Sequence, residues 1–123
     1  MRDADRKGVT RAAIVIPLHG RVDLTERCLS SLDAAGDEVE LVLVDNASTD
    51  GTAALLDRMA PDARVIRNPA NLGFATASNQ GALAAESPVV VFLNNDTEVT
   101  RGWLDPLLEE LEDPTVGAVG ARL

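Results

Sequence analysis

The feature that most restricts what this chain can fold into is a set of short apolar runs that alternate with segments of helical spacing. Ala13–Pro17 is a continuous apolar run that closes on a proline. Val39–Val44 is a second run, Arg64–Arg67 a short third, and Pro88–Leu93 a fourth, whose Val89 to Leu93 are wholly apolar. Runs of this length, bounded by turn residues, read as strands buried on both faces. Between the first two, Leu24, Cys28 and Leu32 recur every four residues, which predicts a helix over Asp23–Ala35. Asp23 and Glu26 have the spacing of a capping box, and Gly36 is a stop signal. Thr52–Met59 reads as a second helix that ends before Pro61, and Phe74–Ala85 as a third. The alanines of that third helix let it lie close on a sheet. Trp103–Leu111 reads as a fourth helix, and Val116–Val119 as the start of a fifth strand.

The order βαβαβαβαβ, with each strand taken as apolar throughout, demands a parallel sheet covered on both faces and joined by right-handed crossovers. The predicted fold class is α/β, a three-layer sandwich with a mainly parallel, Rossmann-like sheet. Residues 1–11 are polar and expected to be a flexible N-terminal segment, with 12–123 forming the single domain that 123 residues allow.

Composition narrows the function. The formal net charge is −9, and a duplex-binding surface needs clustered cations, so no nucleic acid partner is expected. Phe74, Phe92 and Trp103 are the only aromatic residues, too few for a single-strand stacking platform. Cys28 is the only cysteine, so no internal disulfide can form and a reducing compartment is the default. Ala12–Leu18 is too short to span a membrane and lacks a signal-peptide cleavage site, which leads to an expected cytoplasmic residence.

In an open parallel sheet, ligands bind beyond the carboxyl ends of the strands, where strand order reverses. Polar residues collect there in this chain: Leu18-His19-Gly20, Asp45-Asn46 and Asn94-Asn95-Asp96. The loop after the first strand lacks G-x-G-x-x-G, and G-K-[ST] occurs nowhere, so neither a dinucleotide fingerprint nor a P-loop is present. Nor do carboxylates follow the first strand directly, as a response-regulator-type site would require.

Four pieces stand in order at these exits. They are Ile14-Val15-Ile16-Pro17; Leu43-Val44-Asp45-Asn46-Ala47-Ser48-Thr49-Asp50-Gly51-Thr52; Asn71-Leu72-Gly73-Phe74 with Asn79 and Gly81; and Phe92-Leu93-Asn94-Asn95-Asp96. Together they resemble family 2 glycosyltransferases of the GT-A fold, from about Ala12 to Leu123. The resemblance implies transfer of a sugar from a nucleotide diphosphate donor (a UDP-, dTDP- or GDP-sugar) to an acceptor hydroxyl. It places nucleotide contacts at Pro17, Leu18, His19, Gly20, Asp45, Asn46, Asn71, Gly73, Asn79, Asn94 and Asn95. Asp96 stands at the metal position of the family's D-x-D motif, which holds Mg²⁺ or Mn²⁺ and the diphosphate.

Three departures accompany the resemblance. Asn94 replaces the first acid of D-x-D, so Asp96 alone keeps the anionic oxygen that such a cation prefers. His19 and Gly20 stand where the family usually has Tyr and Asn. Asp45-Asn46 replaces a frequent Asp-Asp, and the Asn46 amide can offer a donor and an acceptor to a base edge. The family's domains also run on into a second half that supplies the acceptor site and the general base, and no residue here, Glu98 included, matches that base. The expected role is thus the donor-binding half of such an enzyme. The alternatives are a non-catalytic nucleotide-binding module and a fragment that self-associates through an open sheet edge near Val116–Leu123.

The same residues have plainer readings. Asp45, Asn46, Ser48 and Thr49 suit a helix cap, Asp96 an Asx turn, Asn71 and Gly73 a helix start, and His19 a solvated loop. Cys28 reads as a buried thiol and Trp103 as a packing residue. Glu109, Glu110, Glu112 and Asp113 read as a solvated helix face.

Overall fold

The structure is a computed structural model, and it describes residues 10–120. The elements run β1 (Ala12–Leu18), α1 (Val22–Ala35), β2 (Val39–Asn46), α2 (Thr52–Met59), β3 (Arg64–Asn68), α3 (Phe74–Ala84), β4 (Val90–Phe92) and α4 (Leu104–Leu111). The four strands form one parallel sheet in the order β3-β2-β1-β4. This is an α/β fold.

β1 lies inside the sheet, and each of its residues is buried. Because a strand alternates its side chains, β1 feeds two cores at once. Ala12, Ile14, Ile16 and Leu18 join Leu43 and meet Cys28, Leu29 and Leu32 of α1 and Leu56 of α2. Ala13, Val15, Val42 and Val44 are fully buried on the opposite face, where α3 packs on β1 and β2. The crossover that returns from β3 to β4 runs opposite in direction to the first two. Right-handedness therefore places α3 on the other face from α1 and α2.

α3 sits unusually close to the sheet. A Cβ added to Gly81 would overlap the side chain of Val15, coming within 3.3 Å of its Cβ and Cγ2 as well. Gly81 is thus the residue that permits the third layer. At the far end of the sheet, the Glu40 carboxylate accepts the backbone N–H groups of Glu86 and Ser87, each at 3.0 Å, and ties β2 to the segment before β4.

Several expectations need correction. No fifth strand forms over Val116–Gly120; Val116 N–H instead donates to Asp113 O at 3.0 Å in a turn. Gly117 and Gly120 weaken any strand there, since glycine lacks a side chain to pack and costs more entropy to order. The open-edge reading at Val116–Leu123 loses its strand over the described part, and residues 121–123 lie outside the described residues. Coverage of both faces fails at the edges. Phe92 points to the α3 side beside Val15, yet it is 52% exposed because α3 spans only β1 and β2. β3 is not apolar throughout, for Arg64 and Arg67 are exposed on it. The capping box at Asp23 is also absent. α1 begins at Val22, which puts Asp23 inside the first turn, and Arg21 occupies the cap position with no side-chain cap bond.

Of the predicted N-terminal segment, residues 1–9 lie outside the described residues. Arg11 is held by its N–H to Glu38 O at 2.8 Å and by ion pairs to Asp37 and Asp105. No helix among the described residues is long and apolar enough to cross a membrane.

Gly81→Ala tests the close packing of α3. Helix propensity alone would favour alanine by about 1 kcal/mol. The overlap with Val15 opposes it, and overpacking costs about 1–3 kcal/mol. The expected outcome is a lower urea midpoint with an unchanged slope; a raised midpoint would mean that α3 lies farther from the sheet.

Candidate functional site

The order β3-β2-β1-β4 reverses between β1 and β4, and open parallel sheets generally receive ligands beyond the carboxyl ends of the strands at such a reversal. Four loops border it: 19–21 after β1, 47–51 after β2, 69–73 after β3 and 93–97 after β4.

The first two loops are latched together. Ser48 Oγ accepts the Gly20 N–H at 2.8 Å. Asp50 Oδ2 accepts the Val22 N–H at 3.2 Å, and Asp50 Oδ1 accepts the Thr52 N–H at 3.1 Å. One carboxylate therefore caps both α1 and α2, which is the cap that Asp23 was expected to supply. The Thr52 hydroxyl and these N–H groups hold the Asp50 carboxyl below its ordinary value of 3.8. Gly20 has φ 66°, and two non-glycine residues, Arg21 (φ 53°) and Ala47 (φ 57°), also adopt the left-handed region. Such residues cost roughly 1–2 kcal/mol each and persist where surrounding bonds fix them, as the latch does here.

The second and third loops are joined by buried amides. Asn46 is 3% exposed. Its Oδ1 accepts from Asn68 Nδ2 at 2.8 Å and from Leu72 N–H at 3.4 Å, and its Nδ2 donates to Gly73 O at 3.2 Å. Asn68 and Gln80 exchange two further bonds, at 2.8 and 3.0 Å. The Asn46 carbonyl pairs with His19 Nδ1. A carbonyl only accepts, so Nδ1 donates this bond and Nε2 is left outside it. Asp45 is 5% exposed; its Oδ1 accepts the Ser48 N–H at 3.0 Å, and Arg67 stands 3.9 Å from its Oδ2.

The fourth loop is a turn closed by Thr97 N–H donating to Asn94 O at 3.1 Å. Asn95 Nδ2 donates to the buried Thr25 Oγ1 at 3.1 Å, which ties the turn to α1. Asn94 and Asp96 face solvent. Cys28 lies beneath; burial first, then the charges of Asp96 and Glu98, pushes its thiol up to about 11, so it is an inert core group.

The structure thus brings His19, Gly20, Asp45, Asn46, Asn71 and Gly73 into one bonded frame, with Asn94, Asn95 and Asp96 beside it through β4. Pro17 and Leu18 are buried in β1 and offer no side-chain surface. Asn71 accepts the Gly73 N–H at 3.0 Å, and Gly73 has φ 91°, which suits glycine alone. Asn79 is exposed on α3, away from the buried face formed by Ala77, Ser78 and Gly81. Sequence reasoning missed Asn68 and Gln80, and it gave Asp50 no role across loops. An open groove of about 600 Å³ runs along α1, lined by Asp23, Glu26, Arg27, Ser30, Ser31 and Glu98. It contains none of the predicted nucleotide contacts, and its three carboxylates disfavour a diphosphate.

Comparison with known proteins gives the family and the fold. The sequence pattern of glycosyl transferase family 2 matches residues 13–123. The chain belongs to that family. It is 35% identical to the O-antigen biosynthesis protein RfbC of Myxococcus xanthus over 125 residues, which cover 95% of this chain and 10% of that protein. It is 34% identical over 108 residues to the N-acetylglucosaminyl-diphospho-decaprenol L-rhamnosyltransferase of Mycobacterium tuberculosis, covering 77% of this chain and 35% of the relative. Among solved structures, the mannosyltransferase PcManGT of Pyrobaculum calidifontis, in complex with GDP-Man and Mn²⁺, superposes with a TM-score of 0.80 at 29% identity, over 88% of this chain and 34% of that one. The chain therefore spans from a tenth to about a third of the length of these relatives. This family 2 domain has a GT-A fold.

The Asp50 latch makes a stability prediction. Loss of a helix cap costs about 1 kcal/mol, so Asp50→Ala, which uncaps two helices, is expected to lose about 1–2 kcal/mol at neutral pH. Because the folded carboxyl lies below 3.8, its contribution is complete above that pH and is lost as the pH falls below it. Urea titrations across pH should show the gap between the wild type and Asp50→Ala closing only in acid. A gap that is constant with pH would exclude the charged cap.

Proposed function

We propose that this domain binds the nucleotide diphosphate of a sugar donor in the crevice beyond β1, β2 and β4, as the donor half of a family 2 transferase that moves the sugar to an acceptor hydroxyl. The observation that carries this reading is the frame itself. Loops from three successive strands are bonded to one another around Asn46 by the chain's own groups, so the fold itself fixes their relative positions. Pre-formed crevices at the reversal of strand order are where α/β sheets receive nucleotides. The relative crystallised with GDP-Man shares the fold and 29% of its sequence, which supports the same ligand class here.

The residues divide the work. His19, held at Nδ1, offers its exposed ring and Nε2 to the base. Leu72 on the neighbouring loop and Phe74 at the start of α3, 45% and 60% exposed, give an apolar flank. Asn46 holds both loops through Oδ1 and one Nδ2 N–H, which leaves the second Nδ2 N–H for a base edge. Backbone groups of Gly20 and Gly73 allow close approach of ribose and phosphates.

The family's divalent cation needs several hard oxygen ligands. The β4 exit supplies one carboxylate, Asp96, and among the described residues no group of three His, Cys, Asp or Glu is placed to hold a metal. These residues do not make a resident cation site, and no chemical step is assigned to one. No described residue has the position of a general base. Asn94, in place of an acid, favours a second reading in which the domain binds nucleotide without transferring sugar; an assay for release of UDP, dTDP or GDP from their sugar conjugates separates the two.

Calorimetric titration of the chain with UDP, dTDP and GDP tests the donor site. At least one should bind with a one-to-one endpoint. His19→Ala should weaken it about tenfold, the loss expected when one base–ring contact of about 1–3 kcal/mol is removed. Failure of all three nucleotides to bind would overturn the proposal.

A further inference from the structure

We infer that Asn68 and Gln80 are positioning residues of the donor site, which hold Asn46 so that it meets the base as a hydrogen-bond donor and not as an acceptor. The base is then read at one of its carbonyl groups. The inference rests on the donor-site reading above for the presence of a base, and on the chain's own hydrogen bonds for the polarity of Asn46.

Two backbone groups set that polarity. The Leu72 N–H can only donate, and it lies 3.4 Å from Asn46 Oδ1. The Gly73 carbonyl can only accept, and it lies 3.2 Å from Asn46 Nδ2. The loop therefore fixes which end of the Asn46 amide is oxygen. With Oδ1 so placed, Asn68 must turn its Nδ2 toward it, at 2.8 Å. Asn68 fixes Gln80 in turn. Gln80 Oε1 accepts from Asn68 Nδ2 at 2.8 Å, and Gln80 Nε2 donates to Asn68 Oδ1 at 3.0 Å. The three amides form one chain from β2, through the last residue of β3, to α3, and each orientation dictates the next. Reversing one of them would set like atoms against each other, and Asn46 and Asn68 are both buried, where an unpaired polar atom is costly. The Asn68–Gln80 pair also clamps loop 69–73 at its base, since Asn68 precedes the loop and Gln80 lies on the helix that follows it.

What Asn46 has left to offer can be counted. Oδ1 has two lone pairs, taken by Asn68 and Leu72. Nδ2 has two hydrogens, and one goes to Gly73 O. One N–H remains and no lone pair does. An aspartate at this position would offer oxygen alone. It would also turn a charged oxygen toward the Gly73 carbonyl at a site that is 3% exposed. The amide at position 46, with the two amides behind it, thus reverses the sense in which an acid would meet the base edge.

The test uses the full chain, calorimetric titration and nucleotides in which sulfur, a weaker acceptor, replaces a carbonyl oxygen. These are the 2-thio and 4-thio forms of UDP and dTDP and the 6-thio form of GDP. For the nucleotide that binds, at least one thio form should bind about three- to tenfold more weakly than its oxo parent, the loss of one hydrogen bond. Asn46→Asp should bind the oxo parent at least about tenfold more weakly. Gln80→Met removes both bonds to Asn68 while keeping a side chain of similar length. It should weaken the oxo parent about threefold and bring the ratio of oxo to thio affinity toward one. A residue that only supports the fold would lower both affinities equally and leave that ratio unchanged. A thermal midpoint above the titration temperature shows each variant folded, and if Asn46→Asp is not, the thio forms on the wild type and on Gln80→Met still decide. Equal binding of the oxo parent and every thio form by the wild type, or unweakened binding by Asn46→Asp, would overturn the donor polarity and leave the donor site standing. An unchanged ratio in Gln80→Met would overturn the positioning role of Asn68 and Gln80. No binding of any nucleotide would overturn the inference and the donor site together.

Discussion

The site depends on one buried side chain, the amide of Asn46. It lies at the last residue of β2, where the sheet ends and the loops begin. Its carbonyl holds His19, its Oδ1 holds Asn68 and Leu72, and its Nδ2 holds Gly73. A buried amide left unsatisfied costs about 1–3 kcal/mol, so each of these partners is fixed by the same penalty. The consequence is that the loops after β1, β2 and β3 are held in place by the chain's own bonds. That lowers the ordering cost of binding.

The acidic character of the chain is arranged rather than merely tolerated. A net charge of −9 would repel a nucleotide diphosphate if the carboxylates stood free at the crevice. At the β2 exit two of them are instead turned onto backbone N–H groups, Asp45 onto Ser48 and Asp50 onto Val22 and Thr52, while Asp96 at the β4 exit stays exposed. At the opposite end of the sheet, Glu40 does the same for Glu86 and Ser87. There burial opposes ionisation, but the N–H groups and the Ser87 hydroxyl outweigh it and lower the carboxyl. Helix starts and turns carry exposed N–H groups that need acceptors, so these carboxylates stabilise the scaffold and are screened from the ligand in the same act.

The strands, the helices and their order were legible because burial on two faces leaves a continuous apolar run, and packing on one face leaves a four-residue repeat. The polar residues after β1, β2 and β4 were legible as strand exits, and the structure gathers them at one end of the sheet. What could not be seen were the bonds between loops. Asp50 caps a helix 28 residues upstream, and Asn46 meets Asn68 across 22 residues. Such pairings leave no periodicity, and Asn and Asp carry the same local turn signal whether or not they bond at long range. The capping box at Asp23 failed for this reason: a local motif was present, but a distant carboxylate reached the helix start one residue earlier. The fifth strand failed because two valines flanked by glycines have the composition of a strand end without a described neighbour to pair with.

The two sides of the crevice therefore differ physically. On the β1, β2 and β3 side, polar atoms are paired within the chain and the geometry is rigid. On the β4 side, Asn94 and Asp96 project from a short turn on a three-residue strand, and neither side chain is bonded to the chain. Phe92 at the sheet edge is likewise half exposed. The chain's own bonds thus fix one side of the sheet's carboxyl end and leave the other side, around Asn94 and Asp96, without such ties, because the amides and carboxylates at the β2 and β3 exits are spent on neighbouring loops while those two side chains are not.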